Sequence, residues 1–200
     1  MIPQRIHYAW FGGGPKTPLV EKCIASFNLH CPEFEIVEWN ERNFDASRYP
    51  FAAHAASNKR WAFVSDVCRA VVMKEQGGFF LDADNELTAS IQPFRNYDFV
   101  SGFESFRGLI FPITAFMGCR PGSQIANYLF NYYDMMSEFK FEPNTAFISD
   151  HMVQQRGFLA DNTLQLREGS LLAPSWYFCT PVSGRPSYCI HHFNGSWVQS

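Results

Sequence analysis

The chain has 200 residues, 46% of them hydrophobic and 18% charged, with a formal net charge of −3. That balance lets it bury a sizeable core and excludes a disordered chain, and the absence of any Lys/Arg cluster argues against a nucleic-acid binder. The six cysteines (Cys23, Cys31, Cys68, Cys119, Cys179 and Cys189) contain no Cys-x-x-Cys pair, so they read as scattered reduced thiols rather than a zinc site.

Taken in order, Ile6-His7-Tyr8-Ala9-Trp10-Phe11 predicts a first strand, ended by Gly12-Gly13-Gly14-Pro15. A glycine run lets the backbone turn sharply and approach a ligand closely. It is not a phosphate-cradling P-loop, because the Gly-Lys-Thr ending is missing. Leu19, Val20, Cys23, Ile24 and Phe27 recur at helical spacing over 17–30, and Cys31-Pro32 stops that helix. Phe34 to Trp39 alternates apolar and polar and predicts a second strand, and 40–50 reads as a loop. A mostly apolar helix is predicted next, from about Lys59 to Gln76. On it Ser65, Asp66 and Arg69 share one side. Such a patch either forms an internal ion pair or faces a cleft.

That helix leads into Gly77-Gly78-Phe79-Phe80-Leu81-Asp82-Ala83-Asp84. Two glycines end the helix, three apolar residues make a short buried strand, and two carboxylates come next. Open α/β sheets place ligands at the carboxyl ends of such strands. Two hard oxygen ligands suit Mg²⁺ or Mn²⁺, which also bind substrate phosphates. Alone, Asp-x-Asp fits a solvated acidic turn equally well. Tyr97 to Gly102 and Leu109 to Met117 predict further strands, with Pro112 near an edge or a bulge. Helices are expected from Pro121-Gly122 to about Phe139 and over 145–156, and short strands around Leu164 and Leu172. The alternation of strands and helices in the first half implies an α/β fold with a mostly parallel sheet.

Four separated pieces now read as one site: Trp10 before the glycine run, Asp66 and Arg69 on their helix, Asp82 and Asp84, and the closing His192-Phe193-Asn194-Gly195-Ser196-Trp197. Together they resemble the nucleotide-sugar glycosyltransferases of the GT-A fold. The likeness is strongest to glycosyltransferase family 32, which includes capsular-polysaccharide and lipopolysaccharide sugar transferases and yeast initiating mannosyltransferases. Trp61, Ser65-Asp66, Arg69, Gly77-Gly78 and Asp82-x-Asp84 match that family's order of motifs. Phe80 stands where the family usually has Tyr, and Thr145-Ala146-Phe147 where it has Thr-Gly-Pro.

The resemblance implies a single GT-A-like domain over 1–200, a mostly parallel sheet flanked by helices, with a donor-binding half of about 1–90 and an acceptor or closing half of about 91–200. It implies metal-dependent, retaining transfer of a hexose from a UDP-hexose or GDP-mannose donor to a glycan or lipid-linked acceptor in polysaccharide synthesis, as in capsule or lipopolysaccharide. Trp10, Phe11, Gly12, Asp66, Arg69, Asp82, Ala83, Ser196 and Trp197 would bind the donor, with Trp10 stacked on the base. Asp66, Arg69, Asp82 and Asp84 would form the catalytic group. Asp82, Asp84 and His192 would hold the metal, and an imidazole in that shell favours Mn²⁺ over Mg²⁺. Glu104, in Gly102-Phe103-Glu104, is a candidate acceptor-side group, and no residue identifies itself as a nucleophile.

Two other readings stay open on the residues. A haloacid-dehalogenase-like phosphatase also ends an apolar strand in Asp-x-Asp, with the first Asp as nucleophile, although Asn85-Glu86 here replaces the usual Gly-Thr. A non-catalytic sugar-nucleotide binding module is the second. No stretch approaches the roughly 20 apolar residues of a membrane span, and the N-terminal apolar run is too short for a signal peptide. The expected location is therefore cytoplasmic, with the inner face of the membrane as a workplace left open.

Overall fold

In the computed structural model, which describes residues 1–106, 109–136 and 144–194, the chain as far as Leu81 interleaves strands and helices. These are β1 (Arg5–Ala9), α1 (Pro18–His30), β2 (Glu35–Trp39), α2 (Pro50–Ser57), α3 (Trp61–Glu75) and β3 (Gly78–Leu81). Thr17 caps α1 by accepting from the Val20 N–H, and Pro18 occupies the first turn, where a missing N–H costs nothing. Helix α2 was not expected. It starts at Pro50 inside what reads as a loop, and it buries only Phe51, Ala52 and Ala55. So short a helix leaves little periodicity to read; its stability comes from packing against α3.

Then come β4 (Asn85–Leu87), β5 (Phe99–Phe106), β6 (Leu109–Cys119), α4 (Gln124–Asp134), α5 (Asn144–Asp150) with a π-helical turn at His151–Gln155, β7 (Gln165–Arg167), β8 (Ser170–Ala173), α6 (Ser175–Phe178) and β9 (Cys189–His191). Part of the helix expected to reach Phe139 lies outside the described residues.

Seven strands form one sheet in the order β2-β1-β3-β6-β5-β8-β7. β1 runs parallel to β2 and β3, and β5 parallel to β8, while β6 opposes both β3 and β5 and β7 opposes β8. Most strands thus point one way, as the alternation implied, and β6 is the reversed strand at the centre. Pro112 lies in β6 beside a register shift between Ser101 and Phe103 of its partner β5, the bulge its ring calls for. β4 and β9 pair separately as an antiparallel ribbon.

β3 is buried on both faces. Phe79 and Leu81 enter the apolar layer with Tyr8, Phe27 and Phe178; Phe80 enters the opposite layer with Val64, Val67 and Leu129. Each such side chain contributes about 1.5–3 kcal/mol on burial, so the strand is a firm base for the acidic bend at its end. Its start is equally tight. A Cβ on Gly77 would stand 2.6 Å from the Cys119 carbonyl, and one on Gly78 would stand 2.9 Å from that of Arg5. Beside them His7 is fully buried. Its Nε2 lies 3.0 Å from the Gly77 carbonyl, and its Nδ1 accepts from the Trp39 indole at 3.1 Å. That pairing requires the neutral ring with its proton on Nε2, and burial lowers its pKa to about 4.

All six cysteines are buried and free. Among the described residues no helix is long and apolar enough to cross a membrane.

Candidate active site

The site starts where β3 ends. Asp82 N–H donates to the Ala115 carbonyl at 2.9 Å, and Asn85 N–H closes a turn onto the Asp82 carbonyl, also at 2.9 Å. The buried Asn85 amide binds the same Ala115 carbonyl at 2.6 Å. The irregular stretch of β6 therefore supplies the acceptor that pins the Asp82-Ala83-Asp84 bend. Both carboxylates leave the sheet at the carboxyl end of β3.

Arg69 reaches the site from α3. Its side chain is 3% exposed, its guanidinium ion-pairs with Asp82, and its Cζ lies 5.1 Å from the centre of the Phe80 ring. Phe80 is thus the floor under the arginine. Burial works against the guanidinium charge, but Asp82 and Asp66 outweigh it and hold Arg69 charged. Asp66, one turn earlier, is half-buried and hydrogen-bonds Asn144. Burial pushes its carboxyl up to about 6, with Arg69 pulling it down and Asp82 adding to the rise. Burial also raises Asp82, against the pull of Arg69. The patch on α3 therefore takes the first of the two roles its sequence allowed. It makes an internal ion pair, to Asp82 rather than Asp66, beside the acidic bend.

The expected imidazole ligand, His192, is not the one that meets the aspartates. In the β4–β9 ribbon Asn85 faces His191, and neighbouring side chains on a strand point to opposite sides. His191 Nε2 accordingly lies 3.6 Å from Asp84 Oδ1, and ligand atoms of Asp82, Asp84 and His191 all fall within 4.8 Å of one another. His192 turns away. Its Nε2 is 2.8 Å from Glu86 Oε2, which also takes Lys22 Nζ at 2.9 Å. The segment after β9 is tied to Asp84 twice, by Asn194 N–H to Oδ2 at 2.8 Å and His192 N–H to the backbone carbonyl at 3.2 Å. On the other side of His191, Nδ1 faces Glu104 Oε2 at 3.8 Å.

β1 is parallel to β3 with His7 opposite Phe80, so Trp10 leaves the sheet at the same end as Asp82. Trp10 is half-buried, its indole N–H donates to the Gly14 carbonyl at 2.8 Å, and Lys16 Nζ lies 5.8 Å from its ring. Phe11 does not offer its ring to a ligand: it is buried edge-on against Phe44, with centroids 5.9 Å apart, which leaves only its backbone. Gly12 is exposed, and its N–H donates to Glu41. Ala83 is half-buried at the bend. Ser196 and Trp197 lie outside the described residues.

Residues 17–100, which include Asp66, Arg69, Asp82 and Asp84, match the family described as "Glycosyltransferase sugar-binding region containing DXD motif". Two solved structures share the fold. PaToxG glycosyltransferase superposes with a TM-score of 0.56 at 13% identity, over 77% of this chain and 70% of that one. A glycosyltransferase involved in the glycosylation of the major capsid of PBCV-1 superposes with a TM-score of 0.51 at 11% identity, over 93% of this chain and 92% of that one. No curated protein sequence matches the chain. Residues 17–100 thus match a DXD-type glycosyltransferase sugar-binding region, and the chain shares its fold with these two solved glycosyltransferases.

Proposed function

We propose that the chain transfers a hexose, with retention, from a nucleoside-diphosphate donor to a glycan or lipid-linked acceptor, assisted by Mn²⁺ or Mg²⁺ at Asp82, Asp84 and His191. The observation that carries this reading is the meeting of two residues from the bend after β3 with one from β9 around one point. The donor set fits a hard divalent cation. It has two carboxylates for either ion, and an imidazole that tilts the choice toward Mn²⁺. Such a cation would offset the negative charge that grows on a departing diphosphate. Asp66 is an acceptor for sugar hydroxyls, and Arg69, fixed in its charged state, is a forked donor beside it. Trp10 offers a flat face at the sheet end where a base would lie. UDP-hexose and GDP-mannose both suit these groups, and synthesis of a capsule or lipopolysaccharide is the setting the motif string favours.

The phosphatase reading needs Asp82 as a free nucleophile, whereas Asp82 is engaged by Arg69. The binding-module reading is separated by turnover. The test is release of nucleoside diphosphate from a panel of UDP-hexoses and GDP-mannose with Mn²⁺, Mg²⁺ or chelator. Metal-dependent release from one donor is expected. Tight donor binding with no release from any would make the chain a binding module, and turnover of an aryl phosphate lost in Asp82→Asn would make it a phosphatase.

A further inference from the structure

We infer that Glu104 is a positioning residue for His191, holding the imidazole so that Nε2 is presented to the Asp82–Asp84 pair. The inference rests on the metal-site reading and goes beyond it, because Glu104 comes from β5, away from every motif that defines that site.

The imidazole of His191 stands between two carboxylates, each facing a different ring nitrogen. Asp84 Oδ1 is 3.6 Å from Nε2, and Glu104 Oε2 is 3.8 Å from Nδ1. Both side chains of the outer pair are enclosed, His191 at 11% and Glu104 at 18% exposure. Nδ1 is buried and makes no hydrogen bond at 3.8 Å, so it carries the cost of an unsatisfied polar atom. A small rotation toward Glu104 removes that cost. The Phe193 ring, 4.1 Å from the imidazole centre and tilted by 35°, covers one side of it.

Proton placement decides what the histidine can do. A neutral imidazole has one N–H and one lone pair. With the proton on Nδ1, the N–H points at the Glu104 carboxylate and the Nε2 lone pair is free toward Asp84. With the proton on Nε2, the Nδ1 lone pair faces a carboxylate and repels it. Glu104 therefore selects the arrangement in which Nε2 can bind a cation, as outer carboxylates do for metal-binding histidines. Backbone contacts support the placement: β5 carries Glu104 opposite Phe111 of β6, and His191 N–H is anchored to the Cys179 carbonyl at 2.9 Å.

The experiment is calorimetric titration of Mn²⁺ into the full chain for the parent, Glu104→Ala, Glu104→Gln, His191→Ala and the His191→Ala/Glu104→Ala double variant, with metal-free melting curves alongside. Glu104→Ala is expected to weaken Mn²⁺ binding by about 10–100-fold. Glu104→Gln should recover most of the loss, because the amide oxygen still accepts from Nδ1–H although the charge is gone. In the His191→Ala background Glu104→Ala should add nothing. Parent-like Mn²⁺ affinity in Glu104→Ala, with affinity lost in His191→Ala, overturns this inference and leaves the metal site standing. Equal losses in Glu104→Ala and Glu104→Gln overturn it in favour of simple charge attraction. A full further loss in the double variant overturns it in favour of Glu104 as a direct ligand. Full affinity in His191→Ala brings down the metal-site reading itself.

Discussion

Gly12 lies against the edge of the Trp61 indole so closely that a Cβ on it would stand 2.5 Å from Nε1. Two residues that the sequence shows only as separate motif positions are thus one contact. Trp61, at the start of α3, is the surface over which the loop after β1 folds, and Gly12 takes a φ of +93° to follow it. Gly12→Ala meets both the clash and the left-handed backbone, and should destabilise the fold by about 1–3 kcal/mol. Urea unfolding measures the loss, and a Trp61→Ala background should return the part due to the clash. If Gly12→Ala unfolds like the parent, the loop is not seated on Trp61.

Asp84→Asn separates charge from tethering. The amide oxygen can still accept from Asn194 N–H, so the segment after β9 should stay in place, but the site loses one of its two full carboxylates. The expected result is loss of Mn²⁺-dependent donor binding with an unchanged far-ultraviolet spectrum and a melting temperature equal to or above that of the parent. Any gain comes from relieving repulsion among Asp82, Asp84 and Glu104. Donor affinity that survives intact in this variant would count against any role for the aspartates in holding the diphosphate.

How much of this was readable in one dimension depended on whether a feature was local. The strand Gly78–Leu81, its two following carboxylates and the helix bearing Asp66 and Arg69 are contiguous, strongly patterned segments, and they stand where the pattern put them. Helix α2 escaped because its buried face is two alanines and a phenylalanine, too little for a periodic signal. The reversal of β6 escaped because strand direction is set by pairing partners rather than by composition. The choice between His191 and His192 depended on the register of a three-residue strand. A slip of one residue exchanges the two faces, and nothing in His191-His192 as text says which points inward. Alternation counted back from the Asn85–His191 pair would have decided it, but that pairing is visible only in three dimensions.

Asp66 and His7 should oppose one another as the medium turns acidic. Asp66 is raised from 3.8 to about 6 in the folded protein, chiefly by burial. The folded state then holds a proton that the unfolded chain has released, so this contribution is full below 3.8 and is lost as pH climbs through about 6. His7 is lowered from 6.5 to about 4, again chiefly by burial, so its contribution is full above 6.5 and is lost as pH falls toward 4. The windows overlap and the signs differ. Asp66→Asn removes the first term alone. It should stabilise the protein at pH 7, give no stabilisation at pH 4, and steepen the acid loss between them. Urea midpoints at several pH values check this. A difference between variant and parent that stays constant across the range would mean that Asp66 ionises at its ordinary value.

The pair His191 and His192 provides the sharpest test of how the closing segment meets the site. His192 belongs to a surface-side cluster in which Glu86 takes both its Nε2 and Lys22 Nζ. That cluster fastens the β4–β9 ribbon to α1, as does the Leu87 N–H bond to Ser26 Oγ at 2.8 Å. Its partners are partly exposed, so the contribution of the pairs to stability is at most about 1 kcal/mol. His192→Ala should therefore leave Mn²⁺ affinity within about threefold of the parent and cost little in melting temperature. His191→Ala removes a ligand atom directly and should lower Mn²⁺ affinity by about tenfold or more, the floor set by loss of a mere outer-sphere partner. Glu86→Gln, which removes the charge at the centre of the cluster while keeping both histidines, should behave like His192→Ala. The opposite ranking, with His192→Ala the damaging change, would mean that β9 pairs one residue out of the register seen here and that the other face of the ribbon meets the aspartates.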